Sequence, residues 1–149
     1  MRYLLIVLLI LSSDISAFDL CGENPKDDRW LRAGLWSRHY NTDTKHNETH
    51  NQLGIDYGRC TLMYMKNSNY DNTIVVVRKS MWDIYKREYV KVDAGVMYGI
   101  FVAEDNYIGN IPAGPVFMPV VQFEWFERVG IDINIVPTYL VAIGFRFKF

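Results

Sequence analysis

The sequence predicts an all-β protein, an eight-stranded antiparallel up-and-down transmembrane β-barrel with a short N-terminal periplasmic segment or helix. Beyond residue 30, apolar and polar residues alternate with a period of two, which indicates strands with two different faces. Short and long polar connections follow one another along the chain, as in a barrel with tight turns at one end and loops at the other. The 4 Trp, 10 Tyr and 8 Phe among 149 residues would form the aromatic girdles of a membrane protein.

Length and composition limit the possible classes. A chain of 149 residues is expected to form one domain. Sixteen basic and seventeen acidic residues give a net charge of −1, which predicts no nucleic acid as partner. The hydrophobic content of 50% excludes a disordered chain. The mean hydropathy of −0.05 is too low for a bundle of membrane helices.

The N-terminus predicts export. Residues 1–17 begin with a short basic stretch, continue with the apolar run 4–11, and end in small residues. This is the pattern of a secretory signal peptide, and the run is too short to span a bilayer, which takes ~20 residues. Residues 18–29 are then a periplasmic lead-in, and residues 30–149 are the barrel.

Two cysteines, Cys21 and Cys60, remain in the mature chain. In an exported protein an even pair of cysteines indicates a disulfide more often than two free thiols. We therefore expect this pair to tie the lead-in to the barrel wall.

Eight segments carry the strand pattern. In the last of them, Val141, Ile143, Phe145 and Phe147 alternate with small or charged residues. In a soluble sandwich the apolar face would point to a core, whereas in a membrane barrel it points to lipid. The terminal aromatic residue, Phe149, favours the membrane barrel. The predicted strands are 31–40, 52–57, 60–68, 73–85, 90–101, 116–125, 129–135 and 139–149.

Proline and the turns refine this prediction. Pro119 lies inside the sixth strand, where it predicts a bulge or a broken ladder. Tight turns are expected at 56–59, 85–88 and 126–128. The longer polar connections would face outward.

This topology brings a candidate catalytic group to one rim. His39 ends the first strand, and Asn67 and Ser68 end the third, so all three residues lie at the same end of the barrel. A histidine can take a proton from a hydroxyl while a third polar group fixes its tautomer, which is what acyl transfer requires. The alternative is that these residues have only a structural role where strands end and loops begin, since Asn and Ser favour turns. A metal site at His46 and His50 is disfavoured, because they lie in a polar loop without a helix.

Several weak motifs occur in an order that resembles a known family. They are 104–112 (EDNYIGNIP), 115–119 (PVFMP), 136–139 (VPTY), the terminal 144–149 (GFRFKF), and upstream Asn47-Glu48 and 66–68 (KNS). This succession resembles the lipid A palmitoyltransferase (PagP) family of the Gram-negative outer membrane, over roughly residues 35 to 149.

The resemblance implies an outer-membrane barrel with a short periplasmic helix and an interior pocket for the palmitoyl chain of a phospholipid. The chain would pass to lipid A or a related glycolipid, without cofactor or metal, in a monomer. Ser68 matches the family serine, and His39 is the candidate for its histidine. Asn67 stands where the family has aspartate. Residues 73–82 contain no glycine, whereas the family lines the floor of its pocket with glycine there.

Two functions follow as hypotheses. In the first, the protein is an acyltransferase of the bacterial outer membrane, with His39 as general base, Ser68 positioning or carrying the acyl group, and Asn67 orienting His39. In the second, it is a non-catalytic small barrel that modifies the cell surface or binds a partner through its outer loops.

Overall fold

The structure is a computed structural model that describes residue 21 and residues 29–40, 45–104, 113–136 and 140–149. Within these ranges eight antiparallel strands close into a barrel, with each strand hydrogen-bonded to its neighbours in sequence and the first to the last. The strands are β1 (Arg29–His39), β2 (Leu53–Tyr57), β3 (Cys60–Lys66), β4 (Asn72–Arg87), β5 (Val90–Ala103), β6 (Ala113–Trp125), β7 (Val129–Val136) and β8 (Leu140–Lys148). The predicted all-β, eight-stranded, up-and-down fold is confirmed, and each predicted strand overlaps an observed one.

The two ends of the barrel differ in their connections. Residues 58–59, 88–89 and 126–128 join strands at one end, which we call the turn end. The tight turns predicted at 56–59 and 126–128 are present, with Gly58 at φ 57° and Phe126 at φ 51°. The turn predicted at 85–88 lies instead at 88–89, because β4 continues to Arg87. The opposite end, where β1, β3, β5 and β7 finish, is called the loop end. His39, Asn67 and Ser68 lie at the loop end, as the topology predicts.

The alternation of residues gives the barrel wall two different faces. The outer face is apolar, and the inner face carries polar and charged side chains together with a buried apolar cluster of Met63, Val75, Val77, Met97 and Val120. In β8, Ala142 and Arg146 are buried, whereas Phe145 and Phe147 are exposed. A band of exposed large apolar side chains runs around the wall: Leu31, Trp36, Leu53, Ile55, Leu62, Tyr64, Ile74, Val76, Tyr98, Ile100, Phe117, Val129, Phe145 and Phe147. Soluble monomers rarely expose a contiguous apolar surface of this kind. In the described part of the chain, no helix is both long and apolar enough to cross a bilayer.

A bulge in β1 changes which residues face inward. Its register against β8 shifts between Ala33 and Leu35, and Gly34 takes a positive φ of 63°. This is the conformation of a glycine bulge, which inserts one extra residue into a strand. Arg32 before the bulge and Ser37 after it are both buried, although an uninterrupted alternation would place them on opposite faces.

Pro119 breaks the ladder on one side of β6 only. Towards β5 the pairing runs without a shift from Ala113 to Trp125, and Pro119 lies opposite Val96. Towards β7 the pairing starts at Val120. Since proline has no N–H to donate, it can pair on one side of a strand and end the ladder on the other. The broken ladder predicted at this position is therefore present between β6 and β7.

A cluster of charged residues fills the interior towards the turn end; we call Arg32, Asp56, Lys79, Asp132 and Arg146 the ion cluster. Asp56 accepts from Arg32 Nε at 2.6 Å and from Lys79 Nζ at 2.9 Å. Asp132 pairs with Arg32 Nη1 and, at 2.8 Å, with Arg146 Nε. All five side chains are buried. Three cations against two carboxylates leave one excess positive charge.

The disulfide predicted for the mature chain is present in the structure. Cys21 and Cys60 are bonded with their Cα atoms 5.0 Å apart, and Arg59 N donates to the Cys21 carbonyl at 2.8 Å. The bond ties the lead-in to the turn end of β3. The predicted signal peptide, and the lead-in apart from Cys21 and Arg29, lie outside the described residues.

Candidate active site

An apolar cavity of about 310 Å³ lies inside the barrel, in the half next to the loop end. Its walls include Met63, Val75, Met97, Phe101 and Val116, which come from β3, β4, β5 and β6. On the side of the ion cluster the lining turns polar, with Arg32, Gln52 and Asn134. At the loop end its lining is again polar and includes Ser37, His50, Asn67 and Ser68. The barrel therefore contains an interior cavity although residues 73–82 of β4 include no glycine.

Two of the three predicted site residues are in contact. His39 Nε2 and Ser68 Oγ are 2.8 Å apart, a hydrogen-bond distance. The His39 ring also stacks on His46, with the ring centroids 4.4 Å apart. His39 is half-buried and Ser68 is buried in the cavity wall. A histidine at this distance is placed to remove the proton of a hydroxyl.

Asn67, predicted to orient His39, forms its side-chain hydrogen bonds with the turn that follows β3. Its Oδ1 accepts the backbone N–H of Asn69 at 2.8 Å and of Asp71 at 3.0 Å, so both lone pairs serve the turn that follows β3. Its Nδ2 is buried and has no hydrogen-bond partner. Asparagine oxygens commonly hold turns by such bonds to backbone amides. The result is an amide whose N–H₂ group is fixed in direction.

A second serine–histidine pair, which the sequence did not predict as a site, lies deeper in the same wall. Ser37 Oγ and His50 Nε2 are 2.7 Å apart, and His50 Nδ1 is 2.7 Å from the carbonyl oxygen of Lys66. A carbonyl can only accept, so Nδ1 carries the proton and Nε2 accepts the hydroxyl proton of Ser37. Both residues are buried, with an exposed fraction of 0% for Ser37 and 3% for His50.

The backbone holds His50 in place on both sides. Its N–H donates to the Leu35 carbonyl at 2.8 Å, and its own carbonyl accepts from Lys66 N at 2.8 Å. Residue 50 therefore lies between β1 and β3 and extends the barrel beyond β2. Burial lowers the pKa of His50 below its ordinary 6.5, because desolvation disfavours the imidazolium. The neutral, proton-accepting form of the ring therefore predominates at pH 7.

The sequence carried a signal for Ser37 but none for His50. Ser37 precedes His39 by two residues, and residues two apart in a strand share a face. His50 lies in the irregular stretch before β2, where no period predicts its direction. The bond to Ser37 depends on the bulge at Gly34, which the alternation alone did not reveal.

The three histidines make different contacts in the structure. His46 stacks on His39, whereas His50 is bound to Ser37 and the Lys66 carbonyl. Across the ranges that the structure describes, no group of three or more His, Cys, Asp or Glu side chains could hold a metal ion. Residues 105–112, which carry part of the family resemblance, lie outside those ranges.

A comparison of the chain with models of protein families and with curated proteins finds no match. The candidate site is therefore assigned from the contacts and distances of its own residues.

Proposed function

We propose that the protein is a bacterial outer-membrane acyltransferase, which moves an acyl chain from a phospholipid to lipid A or a related glycolipid. The observation that carries this proposal is the apolar cavity with serine–histidine hydrogen bonds at its loop end. An acyl chain is an apolar rod attached to an ester, and the cavity offers apolar walls beside groups that activate hydroxyls. Its volume is at the low end of ligand pockets, which span roughly 300–1,000 Å³.

The outer wall supports a membrane location. The exposed apolar band and the buried charges have the arrangement expected of an outer-membrane barrel, which is apolar towards lipid and polar inside. Strands of 9 to 16 residues, as in β1, β4, β5, β6 and β8, reach the ~9–11 residues that a tilted strand needs to cross a bilayer. Phospholipid in the surrounding membrane would then be the donor.

The pair at the rim would activate the acceptor. His39 is the more accessible of the two hydrogen-bonded histidines, so an incoming acceptor hydroxyl could replace Ser68 as its hydrogen-bond partner. His39 would take the proton of that hydroxyl as general base, and Ser68 would position it. The order of motifs that resembles the lipid A palmitoyltransferase family supports lipid A as acceptor.

The test is mass spectrometry of lipid A from cells that express the chain. We expect an added acyl mass with the wild type and none with His39→Ala. Arg38→Ala is the matched control, because Arg38 lies next to His39 but has an exposed side chain. If the wild type folds and inserts without adding acyl mass, the non-catalytic barrel is the better description.

A further inference from the structure

We infer that Ser37 is the nucleophile of the donor half-reaction and forms an ester with the acyl chain, with His50 as its base. This inference deepens the proposed function and rests on it for the identity of the substrate, a long-chain acyl ester. The observation behind it is a chain of two hydrogen bonds: Ser37 Oγ donates to His50 Nε2, and His50 Nδ1 donates to the carbonyl oxygen of Lys66.

These two hydrogen bonds are the ones that an activated serine needs. A serine hydroxyl is a weak nucleophile until an adjacent base accepts its proton, and a third group must keep the base in the right tautomer. Here the Lys66 carbonyl fixes the tautomer, and backbone bonds hold His50 itself. The carbonyl orients the ring without supplying the full charge of a carboxylate.

Asn67 would supply the oxyanion donor. It follows Lys66 in the chain and lines the same cavity. Its Nδ2 is buried at 3% exposure of the residue and has no hydrogen-bond partner, while its Oδ1 is fixed by two backbone amides. A buried N–H group without a partner is costly. It becomes useful where an oxygen acquires negative charge during a reaction.

The step balances as an acyl transfer to the enzyme. Ser37 Oγ bonds to the ester carbonyl carbon as its proton moves to His50 Nε2, and the carbonyl oxygen takes the negative charge. The ester C–O bond breaks, and the departing alkoxide receives the proton from His50. An acceptor hydroxyl then attacks the Ser37 ester as His39 takes its proton, and the bond between Ser37 Oγ and the acyl carbon breaks. Ser37 Oγ regains a proton from solvent through His50, and His39 returns its proton to solvent. Burial of Ser37 limits access of bulk water, which favours transfer over hydrolysis.

Covalent labelling tests the inference without lipid A. The folded protein in detergent is treated with a long-chain alkyl fluorophosphonate, which bonds to an activated serine with loss of fluoride. We expect the label on the peptide that contains Ser37. The variants Ser37→Ala and His50→Ala should lose it, the second by roughly 10²–10⁴-fold in rate. Ser80→Ala is the matched control and should keep it, because Ser80 lies in β4 and does not line the cavity. Heat-modifiable mobility on a detergent gel verifies that each variant is folded.

Asn67→Asp separates the inferred role from the one that the family resemblance implies. Aspartate preserves the oxygen that holds the turn but removes the N–H donor. We expect labelling roughly 10²–10³-fold slower, the usual cost of losing one oxyanion donor. Equal or faster labelling would overturn the role of Asn67.

The outcomes distinguish this inference from the proposed function. A label on Ser68, or no label on the folded wild type, would overturn the assignment of Ser37, and acylated lipid A would then still support the transferase. A label on Ser37 without any acylation of lipid A would support the nucleophile and refute the proposed acceptor.

Discussion

Asp56 is the residue whose replacement best tests how the polar interior is stabilised. It is fully buried and accepts three hydrogen bonds, from Arg32 Nε at 2.6 Å, Thr61 Oγ1 at 2.7 Å and Lys79 Nζ at 2.9 Å. In Asp56→Asn an NH₂ group replaces one carboxylate oxygen. If this NH₂ group faces Lys79, it and the Lys79 ammonium are both hydrogen-bond donors and cannot bond to each other. The ion cluster would then hold three cations and one carboxylate.

The expected loss is large. Removing one partner of a buried ion pair costs about 3–5 kcal/mol, because the remaining charge is left uncompensated. At 1.4 kcal/mol for each factor of ten, the folding equilibrium falls by roughly two to three and a half orders of magnitude.

The assay is urea unfolding in detergent micelles, followed by tryptophan fluorescence. Asp83→Asn is the matched control, because Asp83 is largely exposed and its pair with Lys91 at 3.1 Å should contribute ~0–1 kcal/mol. Adding Lys79→Met to Asp56→Asn restores the excess of one positive charge and should recover part of the loss. If Asp56→Asn lies within about 0.5 kcal/mol of the wild type, the size of an ordinary surface substitution, the reasoning is wrong.

Three further predictions concern the disulfide, the bulge and the base. Cys60→Ser should cost about 2–4 kcal/mol of unfolding free energy under oxidising conditions, since the disulfide spans 39 positions of sequence; an equal effect of reductant on wild type and variant would contradict this. Deletion of Gly34 should leave Ser37 labelled, because removing the extra residue of the bulge restores strict alternation with Arg32 and Ser37 both on the inner face; loss of the label from a folded barrel would contradict this description of the bulge. The acid limb of the labelling rate should lie below pH 6.5, since burial lowers the pKa of His50 and keeps it neutral; a limb above pH 6.5 would exclude it as the base.

Much of the fold could be predicted because the two faces of its strands differ in polarity. In β8 the alternation of Phe145 and Phe147 with Arg146 fixes both the strand and its inner face. Pro119 predicted a broken ladder because its missing N–H acts locally. Properties of this kind depend on one residue and its near neighbours.

The candidate site could be predicted only in part. Topology brought His39 and Ser68 to one rim, since strands that run in the same direction finish at the same end. The role of Asn67 could not be read from sequence, because the same amide can bond to a ring or to the following turn. Ser37 and His50 required the bulge at Gly34 and the irregular chain before β2, and both are set by tertiary contacts.

The most direct test of the proposed function is the lipid A mass spectrum of cells that express the wild type, His39→Ala and Arg38→Ala at equal levels of folded barrel. The proposal predicts an added acyl mass with the wild type and Arg38→Ala, and its loss with His39→Ala. An unchanged lipid A spectrum for the folded, membrane-inserted wild type would contradict it.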